Sequence, residues 1–282
     1  MAIPEGIKPD LLNYDDIRQM APVFDGHPKL VEKIMHWIRL DWSNWVHRTY
    51  CYTTGVPFSN LLIDKCFRIR KRLHNEEVLD RFPDQPFIIV SNHALGALDG
   101  IMLIDMIGRH RPDYRMLVNM ILSHVDAMKE NFIAVDPVGS DDPEKRRITM
   151  QGIRTAMKHV RDGHPLGFFP AGAVSKLTRR LRVEDREWQP SMIRLIKQLR
   201  VPVIPVFFHE TNSAFFNFLG MIDWRIRTLR LPRELFRKIG REIHVSFGEP
   251  IMPEEQDKYT DLKEFGKFLR AKDDELRAKR DW

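Results

Sequence analysis

The 282-residue chain has only two cysteines, Cys51 and Cys66, with neither C-x-x-C nor zinc-ligand spacing. That excludes a disulfide-stapled or zinc-stapled scaffold and makes a reducing, cytoplasmic-type compartment the expectation. A long apolar run is also missing. "PFIIVSNHALGAL" is the longest uncharged hydrophobic stretch, counting His93 as neutral, and it falls short of the roughly 20 residues that cross a bilayer. Residues 1 to 15 carry no basic stretch leading into an apolar one, so no secretory signal is expected and any membrane contact is peripheral. Internal repeats, low-complexity tracts, a G-x-S-x-G elbow and an H-E-x-x-H helix are absent too.

What is present is an ordinary globular composition, 43% hydrophobic and 30% charged, which excludes wholesale disorder. A chain of this length buries a sizeable core. Lys and Arg outnumber Asp and Glu by 45 to 39, a formal net charge of +6. The excess suits an anionic partner and equally a soluble surface, and composition alone does not choose. A nucleic-acid partner is not expected, because no helix-turn-helix cue, zinc pair or RNP-like aromatic strand accompanies the charge.

Residues 28 to 50 place Leu30, Val31, Ile34, Trp37, Ile38, Trp42 and Trp45 near helical spacing, which predicts one tryptophan-rich amphipathic helix. Such a stripe enters the core more often than it anchors a membrane. "DRFPDQP" then marks a boundary, since proline interrupts periodic structure. Beyond it "PFIIV", "YRMLVN", "NFIAV", "LGFFP", "VPVIPVFF" and "EIHVSF" read as strands. Helices are expected between them near 100–108, 120–130, 143–162 and 189–199, the third capped by Asp142 with Pro143 at its first position. Leu262, Phe265, Leu269 and Leu276 mark a charged C-terminal helix. The alternation predicts an α/β fold with a mixed, largely parallel sheet flanked by helices. The expected organisation is an N-terminal helical segment at 1–82, an α/β domain at 83–252 and a C-terminal helix within 253–282.

In such folds ligands bind beyond the carboxyl ends of the strands. "SNHALGALDG", residues 91–100, places His93 and Asp99 there, directly after "PFIIV". Gly96 and Gly100 are expected to let the turn bend, and Asp99 to cap the following helix. Two readings stand: a hydrogen-bonded turn histidine beside a capping aspartate, or a general base whose second ring nitrogen the carboxylate holds. A second strand, "LGFFPAGAVSK", runs into a small-residue turn rich in backbone N–H groups, followed by Lys176, Arg179, Arg180 and Arg182. Donors beside cations suit a phosphate or another anionic head group.

Two strand-end blocks in this order resemble the glycerolipid acyltransferase superfamily. "NHALGALD" is similar to its histidine–aspartate block, "FFPAGAVS" to its F-P-E-G-T-R-S block, and "VPVIPVFF" to its late proline-bearing strand; "MKENFIAVDPV" sits at its second block. The resemblance spans about residues 86–210. The common spacing is H-x4-D, whereas here five residues separate His93 from Asp99. That matches an H-x5-D variant of bacterial, haemolysin-like or ornithine-lipid-type members. Ala171 and Val174 stand where the family has the Glu and Arg associated with a glycerol phosphate acceptor.

The resemblance implies O-acyl transfer from an acyl thioester to the hydroxyl of a lyso-lipid or glycerol-phosphate-like acceptor. His93 would be the general base, Asp99 its orienting partner, and N–H groups near Gly172 the oxyanion donors. Asn92, Phe169, Pro170, Gly172 and Ser175 would shape the substrate site, with Lys176 and Arg179 as anion contacts. No cofactor or metal is implied beyond acyl-CoA or acyl carrier protein as co-substrate. The expected partners are that donor, a lyso-lipid and an anionic membrane surface, with the enzyme peripheral on the inner face of the membrane. Residues 214–241 join an aromatic and aliphatic run to seven Lys or Arg and two acids, which suits either a lipid interface or a buried hairpin with solvated arginines. A serine hydrolase using Ser175 and a catalytically inactive lipid-binding member of the fold are the competing readings.

Overall fold

The computed structural model describes residues 2–136, 142–178 and 182–279. Among these, a seven-stranded sheet holds β1 (Arg70–His74), β2 (Ile88–Ser91), β3 (Arg115–Asn119), β4 (Phe132–Val135) and β5 (Leu166–Phe168). A small antiparallel pair, β6 (Lys176–Leu177) and β7 (Val183–Glu184), lies apart; β8 (Val203–Phe208) and β9 (Glu242–Phe247) complete the main sheet. Its order is β1-β9-β8-β2-β5-β3-β4, and every pairing is parallel except β8 with β9. The expected α/β class and all six expected strands are therefore present.

Twelve helices accompany the strands in the described residues. Four precede β1: α1 (Tyr14–Met20), α2 (Pro28–Ile38), α3 (Leu40–Tyr50) and α4 (Gly55–Leu61). Crossovers supply α5 (Ala97–His110), α6 (Pro143–Arg161) and α7 (Pro190–Leu199). Short α8 (Ala214–Ile222), α9 (Trp224–Leu229) and α10 (Leu231–Phe236) link β8 to β9, and α11 (Pro253–Gln256) and α12 (Leu262–Ala278) end the chain. Because strand side chains alternate, each central strand feeds two cores. Ile89, Met116, Val118, Ile204 and Val206 face α4 and α5, packing against Phe58, Leu98, Met102 and Met106. Ile88, Val90, Leu117, Leu166 and Phe168 face α6, α7 and α12, against Ala156, Val160, Ile196, Phe265 and Leu269. Burying each such side chain stabilises by roughly 1.5–3 kcal/mol. Two-sided burial explains why "PFIIV" reads as a continuous apolar run.

Four expectations change. The helix over 28–50 is two helices, broken at Arg39, which takes the left-handed conformation (φ 67°). The tryptophans of its stripe are not core: Trp37, Trp42 and Trp45 are 56%, 44% and 59% exposed, whereas Val31 is buried. The helix expected at 120–130 is two 3-10 turns, Met120–His124 and Asp126–Asn131. Finally β1, in the stretch read as an N-terminal helical segment, pairs with β9 and supplies the edge of the sheet. "RKRLH" hides a strand because its outward cations are an edge strand's protection against further pairing. Lys71 points inward instead, to the fully buried Asp105.

Candidate active site

The site is built at the carboxyl end of β2, the central strand. Asn92 fixes the chain as it leaves the sheet: its amide nitrogen donates to the Phe208 carbonyl (2.9 Å) and its oxygen accepts the Phe208 N–H (2.8 Å). Asn92 is thus spent on joining β2 to β8. The turn then bends through Gly96, whose φ of 75° and ψ of −129° belong to glycine. A Cβ there would also lie 2.6 Å from Leu231 Cδ2 in α10. Gly100, expected to share in the bend, lies inside α5 with open space around it.

This geometry folds His93 back on Asp99. His93 Nδ1 lies 3.0 Å from Asp99 Oδ2, and the same oxygen accepts the Leu95 N–H (2.8 Å) and the Gly96 N–H (3.1 Å). Asp99 is fully buried, which pushes its carboxyl above the usual carboxylate range against the opposing pull of His93 and the Leu95 N–H. The capping and orienting readings of Asp99 are both realised by one oxygen. The His93 side chain is 18% exposed, and Phe169 stacks on its ring with centroids 3.9 Å apart and planes at 14°. With Nδ1 on Asp99, Nε2 is the ring nitrogen left for another partner.

The second block is tied directly to the first. The Ser175 N–H donates to the His93 carbonyl (2.8 Å), and its hydroxyl lies within reach of that carbonyl (3.0 Å) and of Asp185 Oδ1. Asp185 Oδ1 also accepts the His93 N–H (3.1 Å). Pro170 is buried and its carbonyl accepts the Gln189 N–H (2.9 Å). Gly172 takes φ 67°, and its own N–H is committed to the Phe169 carbonyl (2.9 Å). Among the described residues, the N–H groups of Ala173 and Val174 carry no hydrogen bond. Lys176 is exposed on β6, and Arg179 lies outside the described residues.

Two residues central to this arrangement were not legible in the sequence. Asp185 sits among charges in "RVEDRE", with no neighbour that distinguishes it. Arg227 looks like one more surface cation of the 214–241 segment, yet it is 4% exposed. Its guanidinium donates to the carbonyls of Ser175 (2.8 Å) and Val174 (3.2 Å) and lies over the Phe216 ring, its pKa drawn down by burial. That segment is neither a hairpin nor a loop. Its three helices buttress the second block while Phe215, Phe218, Met221 and Ile222 stay exposed.

The structure thus brings a strand-end imidazole onto a buried carboxylate and ties both to a glycine turn. The sequence profile of a family described as "Acyltransferase" matches residues 27–281, and the chain belongs to that family. Among curated proteins it is 26% identical to a lyso-glycine lipid O-acyltransferase of Phocaeicola vulgatus over 249 residues, covering 86% of this chain and 85% of the relative. It is likewise 26% identical to a lyso-glycine lipid O-acyltransferase of Bacteroides thetaiotaomicron over 191 residues, 65% of this chain and 67% of that one. Among solved structures, the 1-acyl-sn-glycerophosphate acyltransferase PlsC of Thermotoga maritima superposes with a TM-score of 0.49 at 13% identity, covering 90% of each chain.

Proposed function

We propose that this acyltransferase moves a fatty acyl group from a thioester to the hydroxyl of a lyso-lipid, with His93 as general base. The observation that carries the reading is the His93–Asp99 contact at the mouth of the turn. In the proposed step Nε2 of a neutral His93 accepts the hydroxyl proton as the alkoxide oxygen bonds the thioester carbon. The developing imidazolium is stabilised by Asp99 through Nδ1. The tetrahedral oxyanion collapses with loss of the thiolate, which takes up from the His93 imidazolium the proton that came from the acceptor hydroxyl, so charge and protons balance. Because the acyl group arrives activated, no enzyme nucleophile is needed. The N–H groups of Ala173 and Val174 replace that of Gly172 as candidate oxyanion donors.

The competing Ser175 nucleophile finds no support, since its hydroxyl faces a carboxylate and a carbonyl rather than an imidazole nitrogen. The acceptor class rests on the curated relatives, whose names specify O-acylation of a lyso-lipid. Among the described residues no helix is long and apolar enough to cross a membrane. An amphipathic lipid acceptor is then met at a surface. Trp42 of α3 contacts Phe236 of the β8–β9 segment (centroids 5.6 Å), which sets α3 beside that segment. Leu231 of α10 in turn abuts Gly96 of the catalytic turn. Anionic lipid is the surface this apolar and cationic rim fits. The test is thioester consumption with a panel of lyso-lipid acceptors, by wild type and by folded His93→Ala protein. Turnover by the wild type and its loss in the variant is the expected result, and undiminished turnover by His93→Ala contradicts the assignment.

A further inference from the structure

Asp99 holds the ring of His93, and a second carboxylate holds its main chain. Asp185, in the loop after β7, accepts the His93 N–H at Oδ1 (3.1 Å), and the same oxygen lies against the Ser175 hydroxyl. The Ser175 N–H in turn donates to the His93 carbonyl (2.8 Å). These contacts close a ring through both main-chain polar atoms of His93. With Nδ1 on Asp99 (3.0 Å), one residue is fixed at its backbone by one carboxylate and at its imidazole by another. Where Nε2 comes to rest depends on both.

This placement costs stability. Asp185 Oδ2 is buried without a hydrogen bond, beside a cavity of about 230 Å³ at the sheet end. Asp273 of α12 lines the same cavity; it is 1% exposed, and neither of its oxygens accepts a hydrogen bond. Burial pushes the Asp273 carboxyl up to about 8, and the charge of Asp185 adds to that rise. A buried acceptor left unmatched, and two acids around one cavity, both work against folding. An amide in place of the Asp185 carboxylate would keep an oxygen for the two donors and turn an N–H donor into the cavity. Folding alone favours that amide; a carboxylate kept there marks a place where function and stability conflict.

Resting on the acyl-transfer reading, we propose that Asp185 is a positioning residue for His93, acting through the main-chain N–H rather than the ring. A charged acceptor grips an N–H roughly twice as strongly as a neutral one, which is what the carboxylate supplies beyond an amide. The test compares wild type with Asp185→Asn and Asp185→Ala in thioester turnover with a lyso-lipid acceptor and in thermal unfolding at neutral pH. Asp185→Asn should lower kcat by about three- to tenfold while its melting temperature stays level or rises. Asp185→Ala should lower kcat by about ten- to hundredfold, since a base misplaced by about 1 Å can cost a hundredfold. Donor and acceptor KM should each move less than about twofold, because the contacts of Asp185 run to the protein's own main chain and Ser175. The His93 ring resonances of carbon-13 histidine-labelled protein, assigned by their loss in His93→Ala, should shift in both variants without substrate. Wild-type kcat in the folded variants overturns the proposal. So does a melting temperature that falls in step with kcat in Asp185→Asn, or a rise in KM at unchanged kcat. If Asp185→Ala does not fold, Asp185→Asn decides alone. If wild type turns over no lyso-lipid acceptor, the acyl-transfer reading fails by itself. The ring resonances then decide the positioning: a shift sustains it, and unmoved signals overturn it.

Discussion

At the scale of single residues, Gly96 is the position where backbone and packing make the same demand. Its φ of 75° excludes an ordinary side chain, and the Leu231 methyl excludes a Cβ. Gly96→Ala should therefore cost on the order of 1–3 kcal/mol and lower turnover further by moving His93 off Asp99. Denaturant unfolding and kinetics check this, and wild-type values for both would refute it. Asp273 makes a prediction in pH. Its folded-state value of about 8 exceeds the ordinary value, so the folded chain holds this proton more tightly. The stability this contributes is complete below the ordinary carboxylate pKa of about 4 and is lost as pH rises through the folded-state value. The stability of Asp273→Asn relative to wild type should thus increase from about pH 5 to about pH 8.5. A difference independent of pH contradicts the buried-carboxyl picture.

At the scale of elements, the His93 turn is held from three directions: Asn92 to β8, Asp185 from the loop after β7, and Ser175 from the second block. Arg227 of α9 holds the second block from behind. Arg227→Met keeps the apolar stem but strands two carbonyls, a loss of about 1–3 kcal/mol for each one left without a donor. Thermal unfolding should show it, with turnover falling as the 169–176 turn loosens; an unchanged melting temperature with full activity would show the contacts to be incidental. The strands and the His93–Asp99 juxtaposition were legible because apolar runs, a strand-end position and glycine spacing are local signals. Asp185 and Arg227 were not, since both act from loops or helices far along the chain and carry no periodicity. β1 was missed for a related reason: its cations are matched by Glu242 and Asp105, residues remote in sequence. The break at Arg39 runs against propensity, because a non-glycine residue there takes a left-handed conformation.

At the scale of the whole molecule, Trp37, Trp42, Trp45, Phe215, Phe218, Met221 and Ile222 form an exposed apolar set on α2, α3 and α8, while Val23, Met150 and Met252 are exposed singly elsewhere. A helical periodicity that reads as core is satisfied here by an outward stripe, because periodicity locates a face without saying what covers it. The protein should sediment with anionic vesicles at low salt and release as salt rises, each basic residue near the surface adding about 1 kcal/mol. Replacing the three tryptophans with alanine should weaken vesicle binding by at least about tenfold without unfolding the α/β core. Absence of vesicle binding at low salt would contradict the peripheral-membrane reading.

The central claim is that one imidazole, fixed on one buried carboxylate, removes the acceptor's proton. It is tested most directly by acyl-thioester turnover with a lyso-lipid acceptor, comparing wild type with His93→Ala and Asp99→Asn proteins of verified fold. Loss of the base should lower kcat by about 10²- to 10⁴-fold or more, and Asp99→Asn should follow it by leaving the imidazole without its orienting carboxylate. Turnover by folded His93→Ala at the wild-type rate would contradict the account.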